Sequence, residues 1–139
     1  MAVSGFKPFD AGYLALGIPQ MDADHSKLIG IANRIGALVS QPNYRESNFA
    51  AEMRELRQYT AEHFAREETY MKSIGFPGLK DHVAKHREIT QALERFADTG
   101  TKGAVVALSL QNFMRVWLFE HIDRHDAEYA TYAKAQGRA

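Results

Sequence analysis

The stretch HFAREETYM, residues 63–71, places a histidine and a glutamate four positions apart in an otherwise ordinary amphipathic helix. Residues four apart lie about 40° from each other around a helix and one turn apart in height, so His63 and Glu67 share a face. Met53 and Leu56 precede them on that face, at the steps of three and four that mark a buried stripe. The pattern therefore predicts that an imidazole and a carboxylate point into a hydrophobic core.

The composition is typical of one soluble globular domain. The chain has 139 residues, of which 45% are hydrophobic and 24% charged, and its formal net charge is zero. No cluster of lysine and arginine predicts binding to nucleic acid or to an anionic membrane. No apolar run is long enough for a signal peptide or a membrane span, so we expect a cytoplasmic protein. Because cysteine is absent, any metal must be held by histidine and carboxylate side chains.

Glycine and proline divide the chain into an irregular N-terminal arm, residues 1–17, and a single helical domain, residues 18–139. Asn43, with Glu46 three positions later, has the spacing of an N-cap for the second helix. No stretch alternates with period two, so no sheet is expected. The predicted helices cover roughly residues 19–40, 44–73, 80–97 and 104–135.

Each predicted helix carries a stripe of core positions at alternating steps of three and four, the pattern of a left-handed bundle. Short connections make sequential helices antiparallel neighbours. The predicted fold is an all-α, antiparallel, up-down-up-down four-helix bundle. The stripes, in chain order, are Met21, His25, Leu28, Ala32, Ile35 and Val39; Met53, Leu56, Thr60, His63, Glu67, Tyr70 and Ile74; Leu79, His82, His86, Ile89, Leu93 and Phe96; and Leu110, Met114, Trp117 and His121, followed by Glu128 or Tyr132.

Every predicted stripe includes at least one histidine. A single buried histidine usually has a structural role, but in an antiparallel bundle five imidazoles and one glutamate converge here on one level of the core. A buried charged glutamate is costly unless it is paired or bound to a metal. Imidazole and carboxylate ligands suit iron, zinc, copper or manganese, and six or seven of them exceed the needs of one tetrahedral zinc. The pattern predicts two ions bridged by carboxylates.

The chain resembles the single-domain bacterial hemerythrins over nearly its whole length. The resemblance implies a non-haem di-iron centre that binds dioxygen reversibly, for storage, delivery or sensing, without an enzymatic role. It makes dioxygen the ligand, with nitric oxide and azide-like anions as further candidates and with the protein partner left open. The segments that carry it are His25 after Gly17 and Asp22, then H-F-x-x-E-E-x-x-M at 63–71, G-F-P-G-L-x-x-H-x-x-x-H at 75–86 and W-L-x-x-H-I-x-x-x-D at 117–126.

The resemblance also implies a role for each site residue. Glu67 and Asp126 bridge the two irons together with an oxo or hydroxo group. The implied ligands of one iron are His82, His86 and His121, and those of the other, which keeps an open position for dioxygen, are His25 and His63. Considered by themselves, four further apolar residues belong to the core, but the resemblance places them around the dioxygen pocket: Leu118, Trp117, Phe64 and Ile122.

Periodicity and resemblance disagree in the fourth helix. His125 lies four residues after His121, the spacing of the other ligand pairs, whereas Asp126 lies five residues after it and about 140° away on an ideal α-helix. The resemblance selects Asp126, because bridging requires a carboxylate. A local widening of the helix of the π type would bring that side chain into line.

Two acidic residues near the predicted ligands are interpreted as peripheral. Glu68 lies about 100° from Glu67 around the helix and is expected to be solvated. Asp22 is expected to stabilise the start of the first helix, with a hydrogen bond to a ligand histidine as the alternative.

The alternative function is a di-iron redox enzyme of the peroxidase, oxidase or nitric oxide reductase type. Carboxylate-rich di-iron bundles use Glu-x-x-His pairs, and no glutamate in this chain is followed three residues later by a histidine. A set of five nitrogen ligands also favours ferrous iron over high-valent oxygen activation. A bundle that holds a different metal, or none, remains a third interpretation.

Overall fold

The computed structural model describes residues 15–98, 109–110 and 112–137. Helices α1 (Pro19–Val39), α2 (Glu46–Ser73) and α3 (Leu79–Asp98) are followed by a fourth helix over residues 112–135. Within the fourth helix, Met114–Phe119 and His121–Asp126 are π-helical segments, and Ala127–Ala135 is a final α-helical segment. The described part of the chain contains no strand, and the predicted all-α class is confirmed.

Parts of two sequence-based predictions lie outside the described residues. They are residues 1–14 of the predicted arm and residues 104–108 at the predicted start of the fourth helix. The division into an arm and a single domain stays a prediction.

Contacts between α1 and α2 show that these helices are antiparallel. Arg34, late in α1, donates from Nη2 to Glu52 Oε1, early in α2, at 3.2 Å. Asp24, early in α1, accepts a hydrogen bond at 2.8 Å from Nδ1 of His63, late in α2. The connection between the two helices is six residues long, residues 40–45, which suits antiparallel neighbours.

The remaining neighbours continue the same up-down pattern. Arg57 of α2 lies 3.6 Å from Glu94, late in α3, while the opposite end of α2 meets the start of α3. The ring of Phe96, late in α3, lies 6.4 Å from that of Phe113, at the beginning of the fourth helix. His82, at the start of α3, contacts Asp126 in the second half of the fourth helix at 2.9 Å. The predicted up-down-up-down bundle is confirmed.

The predicted stripes form the core of the bundle. The six stripe positions of α1 are all buried, and Tyr70 is half-buried among the otherwise buried positions of the α2 stripe. In α3 the two end positions, Leu79 and Phe96, are partly buried and pack against the core. The hydrophobic effect on these faces therefore accounts for the position of each helix.

The predicted stripe of the fourth helix is wrong beyond His121. Glu128 is exposed and Tyr132 is half-buried, whereas Tyr129 is fully buried. The cause is the π-helical segment His121–Asp126, because an extra residue in a turn rotates everything that follows relative to an ideal α-helix. The π-type widening predicted for this segment is confirmed.

The N-cap predicted at Asn43 is also wrong. Helix α2 begins at Glu46 with Arg45 as its N-cap, and no side chain caps this end. The amides of Asn48 and Phe49 both bond to the carbonyl of Arg45 at 3.1 Å. Residues 41–43 belong instead to the preceding turn.

The C-terminus of α2 ends in a Schellman motif. The amide of Phe76 bonds to the carbonyl of Met71 at 3.0 Å, and the amide of Gly75 to that of Lys72 at 3.1 Å. Gly75 has φ +67°, in the left-handed region that glycine adopts most easily. This turn delivers the chain directly into α3 and so fixes where the histidines of α3 enter the bundle.

The two ends of the bundle differ in chemistry. At the end formed by the late part of α1 and the early part of α2, the buried side chains are apolar, among them Ile35, Val39, Met53 and Leu56. At the opposite end lie all the buried imidazoles and carboxylates of the described residues. We refer to these as the apolar end and the polar end.

No helix in the described ranges is sufficiently long and apolar to cross a membrane.

Two glycine-to-alanine substitutions are expected to have opposite effects on stability. Gly30 lies in α1, and a Cβ added there would meet no atom of the rest of the protein within 4 Å, so Gly30→Ala should raise the free energy of unfolding by about 0.5–1 kcal/mol through helix propensity. Gly75→Ala should lower it by about 1–2 kcal/mol, because alanine is strained at positive φ. Urea unfolding of both variants measures the difference. A Gly75→Ala variant as stable as Gly30→Ala would contradict this account of the turn.

Candidate metal centre

The bundle brings all seven predicted metal ligands together at its polar end. Each helix contributes to the cluster, and none of these residues is more than 3% exposed. The residues are His25 of α1, His63 and Glu67 of α2, His82 and His86 of α3, and His121 and Asp126 of the fourth helix.

The carboxylate of Glu67 reaches imidazoles of three different helices. Its Oε1 lies 3.3 Å from Nε2 of His63 and 3.1 Å from Nε2 of His86. Its Oε2 lies 3.3 Å from Nε2 of His25. One oxygen therefore faces the histidines of α2 and α3, while the other faces that of α1.

The carboxylate of Asp126 is shared in the same way. Its Oδ1 lies 2.9 Å from Nε2 of His82 and 3.0 Å from Nε2 of His121. Its Oδ2 lies 3.1 Å from Nε2 of His25. Asp126 thus connects the pair from α3 and the fourth helix with the histidine of α1.

The donor atoms form two overlapping groups, each of which could hold a metal ion. Within each group the donor atoms lie within 4.8 Å of one another, and Glu67 and Asp126 belong to both groups. The first group adds His82, His86 and His121 to the two carboxylates, and the second adds His25 and His63. The sharing of two carboxylates between two groups of imidazoles is the arrangement that the family resemblance implies, and the ligand assignment itself stays a prediction.

Unpartnered buried atoms show that the cluster fits cations. Among the described residues, buried atoms without a hydrogen-bond partner include Nε2 of His82, His86 and His121, Oε1 of Glu67 and both carboxylate oxygens of Asp126. Buried polar atoms without partners are costly, and these nitrogens and oxygens all face one another. Imidazole nitrogen with carboxylate oxygen is the donor set of iron, zinc, copper and manganese.

The π-helical segment settles which side chain of the fourth helix faces the cluster. Asp126 is fully buried, five residues after His121. His125, the choice of pure periodicity, is half-exposed, and its Nδ1 lies 3.6 Å from Glu128 at the surface. The geometry supports Asp126 over His125, although its role as a ligand stays a prediction.

Sequence reasoning missed or misjudged two carboxylates around the cluster. Glu68 is not simply solvated, because Nδ1 of His86 donates to its Oε2 at 2.8 Å across the α2–α3 interface. Asp24, which the sequence reasoning did not consider, accepts from Nδ1 of His63 at 2.8 Å. Its position immediately before His25, on the turn that faces α2, is the feature of the sequence that could have indicated this contact. Asp22 instead accepts hydrogen bonds from the backbone amides of residues 16 and 17, as expected at the start of α1.

A buried tyrosine also holds the cluster in place. The hydroxyl of Tyr129 donates to Oε2 of Glu67 at 2.6 Å. Burial, together with the nearby carboxylates, raises the pKa of Tyr129, so this phenol remains a donor. The side chain lies one turn after Asp126, on the same face, because the helix is again an α-helix there.

Electrostatics keeps the two central carboxylates ionised. Burial would raise the pKa of Glu67, but its close contacts with the imidazoles of His25, His63 and His86 outweigh burial and hold that pKa well below its usual range. Burial and the charge of Glu67 act against Asp126 as well, yet the histidines around it hold its pKa below the usual range. Both groups therefore present anionic oxygens to the centre.

In the metal-free protein, the two buried carboxylates favour the protonated form of the imidazoles beside them. Burial favours neutral His25, but its contacts with Asp126 and Glu67 outweigh burial and raise its pKa to about 10. His86 also has a raised pKa, since its contact with Glu67 outweighs the effect of burial. Metal ligation requires neutral imidazoles, so a metal must displace the proton that His25 holds.

The four residues predicted around the dioxygen pocket occupy different environments. Phe64 is buried and stacks on the imidazole of His86, with the ring centroids 3.8 Å apart and the planes 4° apart. Leu118 and Ile122 are buried in the core, and Trp117 is half-buried. Trp117 also lines, with His121 and others, a surface cleft of about 280 Å³.

Comparisons with known proteins agree with this centre. A family model described as the hemerythrin HHE cation binding domain matches residues 16–133. The bacteriohemerythrin of Clostridium acetobutylicum is 30% identical over 118 residues, which cover 82% of this chain and 92% of the relative. That of Stenotrophomonas maltophilia is 28% identical over 122 residues, covering 88% of this chain and 78% of the relative. No solved structure matches the chain significantly.

Neighbouring substitutions in the fourth helix test the ligand assignment. Asp126→Asn should lower the iron content of the reconstituted protein well below two per chain, because an amide does not replace a bridging carboxylate. His125→Asn, the matched change one residue away, should leave the iron content unchanged. Elemental analysis of both purified variants measures this. Full iron content in Asp126→Asn together with loss in His125→Asn would reverse the assignment.

Proposed function

The chain belongs to the hemerythrin HHE cation-binding family, and from that premise we propose that it binds dioxygen reversibly at a non-haem di-iron centre. The observation that carries the proposal is the pair of overlapping donor groups that share Glu67 and Asp126. Two carboxylates common to two sets of imidazoles suit a pair of bridged ions better than any single ion.

The two donor groups contain different numbers of imidazoles. Three imidazoles would hold one iron, those of His82, His86 and His121, and two would hold the other, those of His25 and His63. Glu67 and Asp126 would bridge the irons together with an oxo or hydroxo group. The group with two imidazoles has one protein ligand fewer, which leaves room for a small ligand. When bound, two ferrous ions supply the electrons that reversible dioxygen binding requires.

The protein's own residues orient the ligands and exclude water. The phenol of Tyr129 fixes one oxygen of Glu67, and the ring of Phe64 covers one face of His86. Leu118 and Ile122 contribute buried apolar surface on the fourth helix, at 5% and 1% exposure. We propose that these side chains keep water and protons away from the centre and so slow irreversible oxidation.

The matched relatives are bacteriohemerythrins, and membership of the hemerythrin family agrees with the non-enzymatic role expected from the sequence. Storage, delivery and sensing are all compatible with the proposal. The cytoplasmic location and the further ligands expected from the sequence, nitric oxide and azide-like anions, stay predictions.

The test of the proposed function is an optical spectrum of the iron-loaded protein through a cycle of gas exchange. The anaerobically reduced protein should be colourless, gain a visible absorption band in air and lose it under argon over several cycles. The Asp126→Asn variant serves as the control without an intact site. A stable ferric spectrum after a single exposure, with dioxygen consumed and not returned, would support the redox-enzyme alternative instead.

Leu118→Ala should speed autoxidation several-fold, because a smaller side chain admits water to the centre. Leu110→Ala is the matched control, because it truncates another fully buried leucine, eight residues earlier in the chain. Both variants should lose core stability, but only the first should lose the visible band faster in air. Equal rates in the two variants would remove Leu118 from the proposed barrier.

A further inference from the structure

Asp24 is a buried carboxylate outside the two donor groups, and three side chains of α2 converge on it. Nδ1 of His63 donates to its Oδ2 at 2.8 Å. The hydroxyl of Tyr59 donates to its Oδ1 at 2.6 Å. Arg66 donates from Nε to Oδ2 at 2.8 Å and from Nη2 to Oδ1 at 3.0 Å. We call Asp24, Tyr59 and Arg66 the Asp24 clamp.

The clamp determines which nitrogen of the His63 ring carries the proton and which carries the lone pair. With Nδ1 donating to Asp24, the ring proton is on Nδ1 and the lone pair is on Nε2. That Nε2 faces the cluster, 3.3 Å from Oε1 of Glu67. A carboxylate behind a ligand histidine fixes the tautomer, the orientation and the donor strength of the imidazole.

Asp24 itself is held too firmly to turn away from His63. Only 6% of the residue is exposed, and a buried carboxylate is stable only when its charge is compensated. Arg66 supplies that charge through two parallel hydrogen bonds, a geometry that fixes the carboxylate plane. Arg66 and Lys27 also lie over the ring of Tyr59, at 5.3 and 4.6 Å from its centroid.

The other ligand histidine of this donor group has no such support. Among the described residues, Nδ1 of His25 is buried without a hydrogen-bond partner. On the other group, His86 donates to Glu68, but the side chain of Glu68 is 34% exposed and its charge is screened by water. Of the two histidines in the group of His25 and His63, only His63 therefore has its Nδ1 hydrogen-bonded to a carboxylate.

We propose that Asp24, fixed by Arg66 and Tyr59, is a positioning residue that strengthens His63 as a ligand, and thereby tightens metal binding and lowers the reduction potential at the donor group of His25 and His63. The inference rests on the proposed function only in that it requires metal at this group. A carboxylate behind the imidazole increases electron donation to the metal, which favours the ferric over the ferrous ion.

The test compares Asp24→Ala and Asp24→Asn with a control across the same helix interface. Asp24→Ala removes both the charge and the acceptor, whereas Asp24→Asn keeps an oxygen acceptor and the size of the side chain. Glu52→Gln is the matched control, because Glu52 pairs with Arg34 between α1 and α2 in the same manner, far from the cluster. Thermal unfolding of the metal-free variants checks that each one folds.

The first measurement is a titration of the metal-free protein with Co²⁺, followed by its visible absorption. Wild type and Glu52→Gln should bind two Co²⁺ with the same affinities. Asp24→Ala should bind one of the two about 10–100-fold more weakly, and Asp24→Asn should fall between them. If Asp24→Ala fails to fold, the comparison of Asp24→Asn with Glu52→Gln decides the matter.

The second measurement is the midpoint potential of the iron-loaded proteins by spectroelectrochemistry. The potential should shift to more positive values in Asp24→Asn and stay unchanged in Glu52→Gln, which a merely structural role of Asp24 does not predict. Unchanged Co²⁺ affinities and an unchanged potential in Asp24→Asn would overturn the inference while leaving the proposed function intact. If the metal-free wild type binds two Co²⁺ but the iron-loaded wild type does not release dioxygen, the proposed function is overturned and the inference about Asp24 is not. A wild type that binds no Co²⁺ would overturn both.

Discussion

Two ionised carboxylates in the centre of a hydrophobic core impose the constraint on which the rest of this structure depends. Glu67 and Asp126 are completely buried, and removing such charges from water is costly unless each is compensated. Five imidazoles surround them, contributed by all four helices. In the metal-free protein the imidazole of His25 carries a proton, and bound cations would satisfy the same oxygens without it. The polar end is thus organised around neutralising charge, and the helices are arranged so that each one takes part.

The need for two buried carboxylates is also reflected in the geometry of the fourth helix. An ideal α-helix would present His125 to the core four residues after His121, and a further imidazole in place of a carboxylate would leave the centre short of one anion. The π-helical segment presents Asp126 instead. It also moves Tyr129 into the core, where its hydroxyl holds the other carboxylate. One local departure from regular geometry therefore supplies both an acid and the group that orients its counterpart.

Most of the fold could be predicted from the sequence because the bundle follows regular periodicity. Steps of three and four located the core faces of α1 to α3, and glycine and proline located their ends within a few residues. The prediction failed at Asn43, where a plausible cap lies in a turn, and at Glu128 and Tyr132, where regular periodicity was extended through a π-helical segment. Helix direction and spacing predicted that the five histidines and Glu67 meet at one level of the core, whereas Asp126 was selected over His125 by the family resemblance.

The residues around those ligands were harder to predict, for a physical reason. Glu68 lies at the border of its helix and was interpreted as solvated, yet it meets His86 across the interface with α3. Asp24 and its partners Tyr59 and Arg66 belong to different helices, and their contact depends on the distance between α1 and α2. Sequence periodicity gives the direction of a side chain on its own helix, but not which polar groups on a neighbouring helix come within hydrogen-bond distance.

The contrast between the two ends of the bundle bears on how such a protein is made. Side chains at the apolar end, such as Ile35 and Met53, bury hydrocarbon without needing any ion, so hydrophobic collapse can join the helices there as soon as the chain is synthesised. The polar end would then exchange protons for metal within a scaffold that the apolar end already holds together. A chain divided in this way would separate folding from metal acquisition, and metal uptake would not require the whole bundle to open.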